Sequence, residues 1–161
     1  MNKKIYIGVY GIIINEGKIL LIKKARGPYK GMYDLPGGGV EYGESFEKTL
    51  EREYIEETGL EIKLHKFIQN NQFTAEYINS KGEEQGLHHI GIYYSVEPVV
   101  DNNIKTGADG EDSLGAEYID INKLSYVEIS PIARPVVENF LNSPSSMSVI
   151  NGGCPHFRHF R

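Results

Sequence analysis

The period of the apolar positions changes several times along the chain, and the changes mark out its elements. From Lys4 to Ile14 almost every residue is aliphatic, tyrosine or glycine, which predicts a buried strand. Asn15-Glu16-Gly17 follows, with Gly17 able to supply a positive φ, and Lys18 to Lys23 then predicts the second arm of a hairpin. Lys24 to Asp34 reads as a loop, and Leu35-Pro36-Gly37-Gly38-Gly39 as a segment that cannot continue a regular element but lets backbone approach a ligand or metal with no Cβ in the way. The period next becomes helical, from about Glu44 to Thr58. Gly43-Glu44-Ser45 suits the positive end of that helix, and Gly59 suits its termination.

Beyond the helix, Glu61 to Tyr77 and Gly86 to Glu97 predict strands on either side of the turn Asn79-Ser80-Lys81-Gly82. His88 and His89 are adjacent on the second of these, so they point to opposite faces and cannot serve one site together. Residues 101–112 form an acidic loop, Ala116 to Asp120 a short strand, and Ser130-Pro131 opens a helix to about Leu141. Strands, helix, strands and helix without regular alternation argue for an α+β fold. Residues 1–141 are expected to form the domain, and residues 142–161, rich in Ser, Asn, Gly and Pro, a polar tail that is disordered or loosely docked.

The central helix carries a conflict. Glu53 and Glu57 stand one turn apart, in the stripe shared by Phe46 and Leu50 that a globular protein normally buries, with Glu56 beside them. Like charges at this spacing repel, and far more strongly when desolvated, so three convergent carboxylates call for a cation. Hard carboxylate oxygens suit Mg²⁺ or Mn²⁺, ions commonly held by few protein ligands together with substrate phosphates.

Composition narrows the classes. The chain has 161 residues, a net charge of −5 and 40% apolar residues, as expected of one soluble domain and not of a broad nucleic-acid surface. One cysteine, Cys154, leaves no internal disulfide framework and fits a reducing cytoplasm. Met1-Asn2-Lys3-Lys4 before an apolar run has the outline of a leader, but no small-residue cleavage site follows and the run continues into a hairpin; a strand is the expectation. No run approaches the length of a membrane helix. The acidic loop fails the calcium-loop pattern because Lys105 and Thr106 stand where a ligand and the glycine are needed, and Cys154, His156 and His159 match no standard zinc spacing.

Gly38, five residues, Glu44, seven residues, then Arg52-Glu53-Tyr54-Ile55-Glu56-Glu57-Thr58-Gly59-Leu60 resembles the signature of the Nudix hydrolases, which cleave nucleoside diphosphates linked to another moiety. Leu35-Pro36-Gly37 extends the match, and the one departure is Tyr54, where that family more often has a smaller aliphatic residue. The resemblance implies an α/β/α sandwich with a mixed sheet between helices. It implies Mg²⁺ (or Mn²⁺) held by the Gly37 carbonyl, Glu53, Glu56 and Glu57, with Glu53 as base and Arg52 orienting it while paired to Glu44. A loop acid, Glu111 or Asp112, stays open as an extra ligand or base. Arg26 and Lys24 are expected at substrate phosphate, Gly38 beside substrate, and Tyr77, seventeen residues after Leu60, stacked on a base as in relatives acting on dinucleoside polyphosphates. The implied partner is a small nucleotide: a nucleoside triphosphate, a dinucleoside polyphosphate or an NDP-linked compound. Nucleic acid and membrane are not implied, and a homodimer is left open. A non-catalytic nucleotide sensor on the same fold and an RNA 5′ pyrophosphohydrolase are the alternatives; the intact carboxylate set disfavours the first and the net acidity the second.

Overall fold

The structure is a computed structural model that describes residues 1–100, 104–108, 110 and 113–143. Glu111, Asp112, Cys154, His156, His159 and the tail from residue 144 onward lie outside the described residues. The elements are β1 (Asn2–Ile12), β2 (Ile14–Asn15), β3 (Lys18–Lys24), β4 (Tyr33–Asp34), β5 (Gly37–Gly39), α1 (Phe46–Thr58), β6 (Ile62–Ile78), β7 (Glu84–Pro98), β8 (Ser113–Asp120), a 3-10 helix (Ile121–Tyr126) and α2 (Arg134–Leu141). No helix among the described residues is long and apolar enough to cross a membrane.

Two four-stranded sheets share the work. The first runs β5-β1-β7-β6, mixed because β1 pairs in parallel with β7 and antiparallel with β5; the second joins β2, β3 and β4, with β8 on the other side of β3. Alternation along β3 builds two cores at once. Leu20 and Ile22 face Leu50 and Tyr54 of α1, whereas Ile19 and Leu21 face Val136 and Val137 of α2. The architecture is therefore α+β, a mixed sheet layer packed between helices, as the element order predicted.

Three local expectations need correction. Gly37 to Gly39 do form a strand, paired as Gly8↔Gly39, Val9↔Gly38 and Tyr10↔Gly37. Only glycine allows it at Gly37, where φ is 141° and a Cβ would sit 2.1 Å from the Val9 carbonyl oxygen. Regular helix α2 begins at Arg134, not at Ser130-Pro131: Ser130 caps the turn that precedes it, its hydroxyl accepting from the Ala133 N–H at 3.2 Å and its carbonyl from the Arg134 N–H at 2.9 Å. Phe46, expected in the buried stripe of α1, is the first residue of the helix and is 41% exposed; the stripe begins with Thr49 and Leu50.

Tyr54 shows how the one departure from the signature is accommodated. Its ring fills the space over Gly11, where a Cβ would lie 2.6 Å from the Tyr54 hydroxyl oxygen. The hydroxyl is buried without a hydrogen-bond partner among the described residues.

Candidate active site

Helix α1 is set precisely at both ends, which fixes where its carboxylates stand. Ser45 caps it by accepting from the Lys48 N–H at 3.2 Å, and Gly59 ends it in the left-handed region with its N–H on the Ile55 carbonyl. Glu57 then points into the protein and is 2% exposed, accepting the Gly37 N–H at 2.9 Å. Glu53 lies one turn earlier, close against Gly38, where a Cβ would come within 2.4 Å of its carboxyl carbon. Gly38 thus serves this close approach; among the described residues it does not line the cavity expected to take substrate.

Arg52 ties the cluster together. Its guanidinium donates to both oxygens of Glu44 at 2.9 and 3.0 Å, to Glu53 Oε1 at 2.6 Å and to the Gly39 carbonyl at 3.1 Å. Glu44 is held in turn by the Thr49 hydroxyl and the Glu41 N–H. The Arg52 hydrogen bonds hold the Glu44 carboxyl at about 2. Glu56 does not converge with Glu53 and Glu57 as the helical spacing suggested: its side chain is 55% exposed, at the rim, 3.7 Å from Arg52 Nη1.

The electrostatics fit a divalent cation. Burial pushes the Glu57 carboxyl well above its ordinary range, and the Glu53 and Asp34 charges push it further, while the Lys24 ammonium and the Gly37 N–H offset only part. Burial raises Glu53 too, against the opposing pull of Arg52. The pair is short of positive charge, and its donors are all hard oxygens. Among the described residues no three His, Cys, Asp or Glu side chains already converge as a cage. Mg²⁺ does not require one, since it commonly takes one or two carboxylates and completes its shell with water and substrate phosphate.

Lys24 links the carboxylates to a cavity of about 690 Å³, within the range of small-molecule sites. Lys24, Arg26 and Lys30 line it with Tyr77, from the end of β6, so the loop cations and the tyrosine expected at substrate lie around one space. Asp34, Tyr10, Tyr29 and His89 line it as well; the sequence marks none of the first three, and His89 was read there only as facing away from His88. His89 is 2% exposed while its neighbour His88 pairs with Gln72 outside. The signal that could have found it is its place on β7, on the face alternating with Leu87, Gly91 and Tyr93, all buried.

A family model of the NUDIX domain matches residues 4–140. The chain belongs to the NUDIX family. An ADP-ribose pyrophosphatase of Methanocaldococcus jannaschii is 37% identical over 118 residues, 73% of this chain and 63% of that protein, so this Nudix chain spans less than two thirds of that relative's length. A Bacillus subtilis protein provisionally named 8-oxo-dGTP diphosphatase is 45% identical over 143 residues, 88% of this chain and 84% of the relative. Among solved structures, a MutT protein from Methanosarcina mazei Go1 superposes with a TM-score of 0.65 at 26% identity, over 87% of this Nudix chain and 95% of that one.

Proposed function

We propose that this chain hydrolyses a phosphoanhydride bond in a small nucleotide with the help of Mg²⁺ or Mn²⁺. The observation that carries this reading is the pair of half-buried Glu53 and buried Glu57, short of positive charge, beside a nucleotide-sized cavity with lysine and arginine on its wall. Glu53, Glu57 and the Gly37 carbonyl are the groups that would hold the ion, and Glu56, exposed at the rim, would join them by turning its side chain inward. When bound, it neutralises substrate phosphate and makes water a better nucleophile.

The remaining work falls to the chain itself. Lys24, Arg26 and Lys30 draw the diphosphate to the mouth of the cavity, and Tyr77 stacks on the base. Glu53 accepts the proton of the water that attacks phosphorus. Its carboxyl sits above the ordinary range, closer to the neutral pH at which a general base works best. Arg52 fixes that carboxylate by holding Oε1, and Glu44 fixes Arg52, so neither needs to touch substrate. Glu111 or Asp112 is the alternative base.

Substrates worth testing first are the two in the relatives' names, ADP-ribose and 8-oxo-dGTP, together with a nucleoside triphosphate and a dinucleoside polyphosphate, the last because of Tyr77. Release of phosphate or nucleoside monophosphate from this panel at millimolar Mg²⁺ is the test. Turnover of at least one member, abolished by EDTA, is expected. Tight binding with no release from any member would overturn the reading in favour of a nucleotide sensor.

A further inference from the structure

The cavity is long, and strand register shows which residues stand at each end of it. On β1 the side chains of Tyr10, Tyr6 and Lys4 share one face, and all three line the cavity. Tyr10 pairs with Gly37, whose N–H donates to Glu57, so this end lies beside the carboxylates of α1. Farther along β1, Tyr6 pairs with His89, Lys4 with Leu87 and Asn2 with Gln85, and Gln85 pairs in turn with Tyr77 on β6. Asn2 is eight residues from Tyr10, about 26 Å at the strand rise, and Lys4 is six residues from it, about 20 Å.

A nucleotide whose base lies on Tyr77 is shorter than this span. Its phosphate comes abreast of Lys4, and a phosphoanhydride at the α1 carboxylates must lie further along the same substrate. The charges on the wall are divided in the same way. Lys24, Arg26 and Lys30 come from the end of β3 and the loop after it, whereas Lys4 comes from the start of β1. The Lys4 side chain forms no hydrogen bond or ion pair among the described residues. Asp34, the one acid among the described residues that line the cavity, stands on β4 at the opposite end, one residue before Leu35. Lys3 supplies the contrast: it points to the other face of β1, where its side chain covers Gly86, and it does not line the cavity.

We infer that Lys4 is a specificity-determining residue that pairs with a phosphate of the substrate distal to the bond that is cleaved. The substrate is then a nucleotide with phosphate at two separate places along the cavity. The distal phosphate belongs either to a bridge longer than a diphosphate or to a phosphomonoester on the second moiety, and Lys4 meets the same oxyanion in both. This rests on the nucleotide reading of the cavity, and it deepens that reading from a nucleotide in general to one with a second anionic centre.

The experiment uses the full chain in EDTA, so that binding is read without turnover. Calorimetric titrations with diadenosine tetraphosphate, NADP⁺ and inorganic pyrophosphate are compared in wild type, Lys4→Gln and Lys3→Gln. Lys4→Gln should weaken one or both of the long ligands by about tenfold, the scale of one charge-assisted hydrogen bond, and leave pyrophosphate within about twofold. Pyrophosphate is too short to leave the loop cations for Lys4, so it reports on the other end alone. A loss with diadenosine tetraphosphate assigns the distal phosphate to the bridge, and a loss with NADP⁺ assigns it to a phosphomonoester. Lys3→Gln removes the same charge from the opposite face and should change none of the three. Unchanged binding of both long ligands in Lys4→Gln, an equal loss with pyrophosphate, an equal loss in Lys3→Gln, or no binding of either long ligand to wild type would each overturn the inference. The panel of hydrolysis assays decides the enzymatic reading separately, since none of these readouts requires a bond to be cleaved.

Discussion

Replacing Asp34 by Asn tests how strongly the site is strained by its own charge. Burial raises the Asp34 carboxyl from 3.8 to about 6, with Lys24, the Leu35 N–H and Ser130 offsetting part of the effect. A raised folded-state value means the folded chain holds the proton more tightly than the unfolded one. The stability this contributes is fully present below about pH 4 and is lost as pH rises through about 6. Roughly two units at 1.36 kcal/mol each make the loss about 3 kcal/mol. Asparagine keeps an oxygen for the Leu35 N–H, which donates to Asp34 Oδ1 at 2.8 Å, and carries no charge to desolvate. The variant should therefore gain up to about 3 kcal/mol on wild type between about pH 4 and pH 7, whatever pH-independent offset the new amide adds. Urea denaturation in EDTA at a series of pH values measures the gap. A gap that does not change with pH would show that Lys24 already compensates the Asp34 charge in full.

Other outcomes follow from the same packing and charges. Tyr54→Phe removes a buried hydroxyl that has no partner among the described residues and should stabilise the fold by about 1 kcal/mol, a rise of about 2–4 °C in Tm by calorimetry; a lower Tm would mean that the hydroxyl is satisfied. Gly38→Ala places a Cβ 2.4 Å from the Glu53 carboxyl carbon, and because that carboxylate is the movable end of a side chain, kcat should fall by about tenfold or more with little change in Tm; an intact kcat would separate Gly38 from the placement of Glu53. Mg²⁺ should raise Tm more at about pH 8 than at about pH 5.5, since it competes with protons for Glu57 and Glu53, both pushed upward by burial; thermal melts at the two pH values measure it, and a shift independent of pH would count against those ligands.

How far the molecule could be read from its residues depended on whether a feature was local. The frame of α1, with its entry at Ser45 and its end at Gly59, follows from short-range capping chemistry and was legible, as were the two long strands around residues 79–82; the turn at Gly17 was legible too, but its first arm is only Ile14–Asn15, because β1 leaves for the other sheet to pair with β5 and β7. Gly37 to Gly39 misled because three glycines weaken a strand by local preference, whereas here the backbone of β1 demands glycine at Gly37 and the Glu53 carboxylate at Gly38. The start of α2 was legible as a Ser130 cap, but the residues just after it form a turn and the regular helix begins only at Arg134. In the site, the grouping of Glu44, Arg52 and Glu53 was legible only through the resemblance, since Glu44 precedes the helix and Arg52 and Glu53 are adjacent on it, while helical spacing alone misplaced Glu56, which is exposed at the rim. Asp34 and Tyr29 escaped notice because nothing nearby in the chain marks them, and His89, rightly read as facing away from His88, was not connected to them. They meet only when β4, the loop before it and β7 close around one cavity.

The central claim, that carboxylates of α1 carry metal-assisted hydrolysis of a nucleotide phosphoanhydride, is tested most directly by kcat of Glu53→Gln on the best substrate of the panel at millimolar Mg²⁺. Losing the proton acceptor and a ligand charge together should lower kcat by about 10²-fold or more, with Tm at or above that of wild type because a partly desolvated charge has been removed. A folded variant whose kcat stays within a few-fold of wild type would contradict the account.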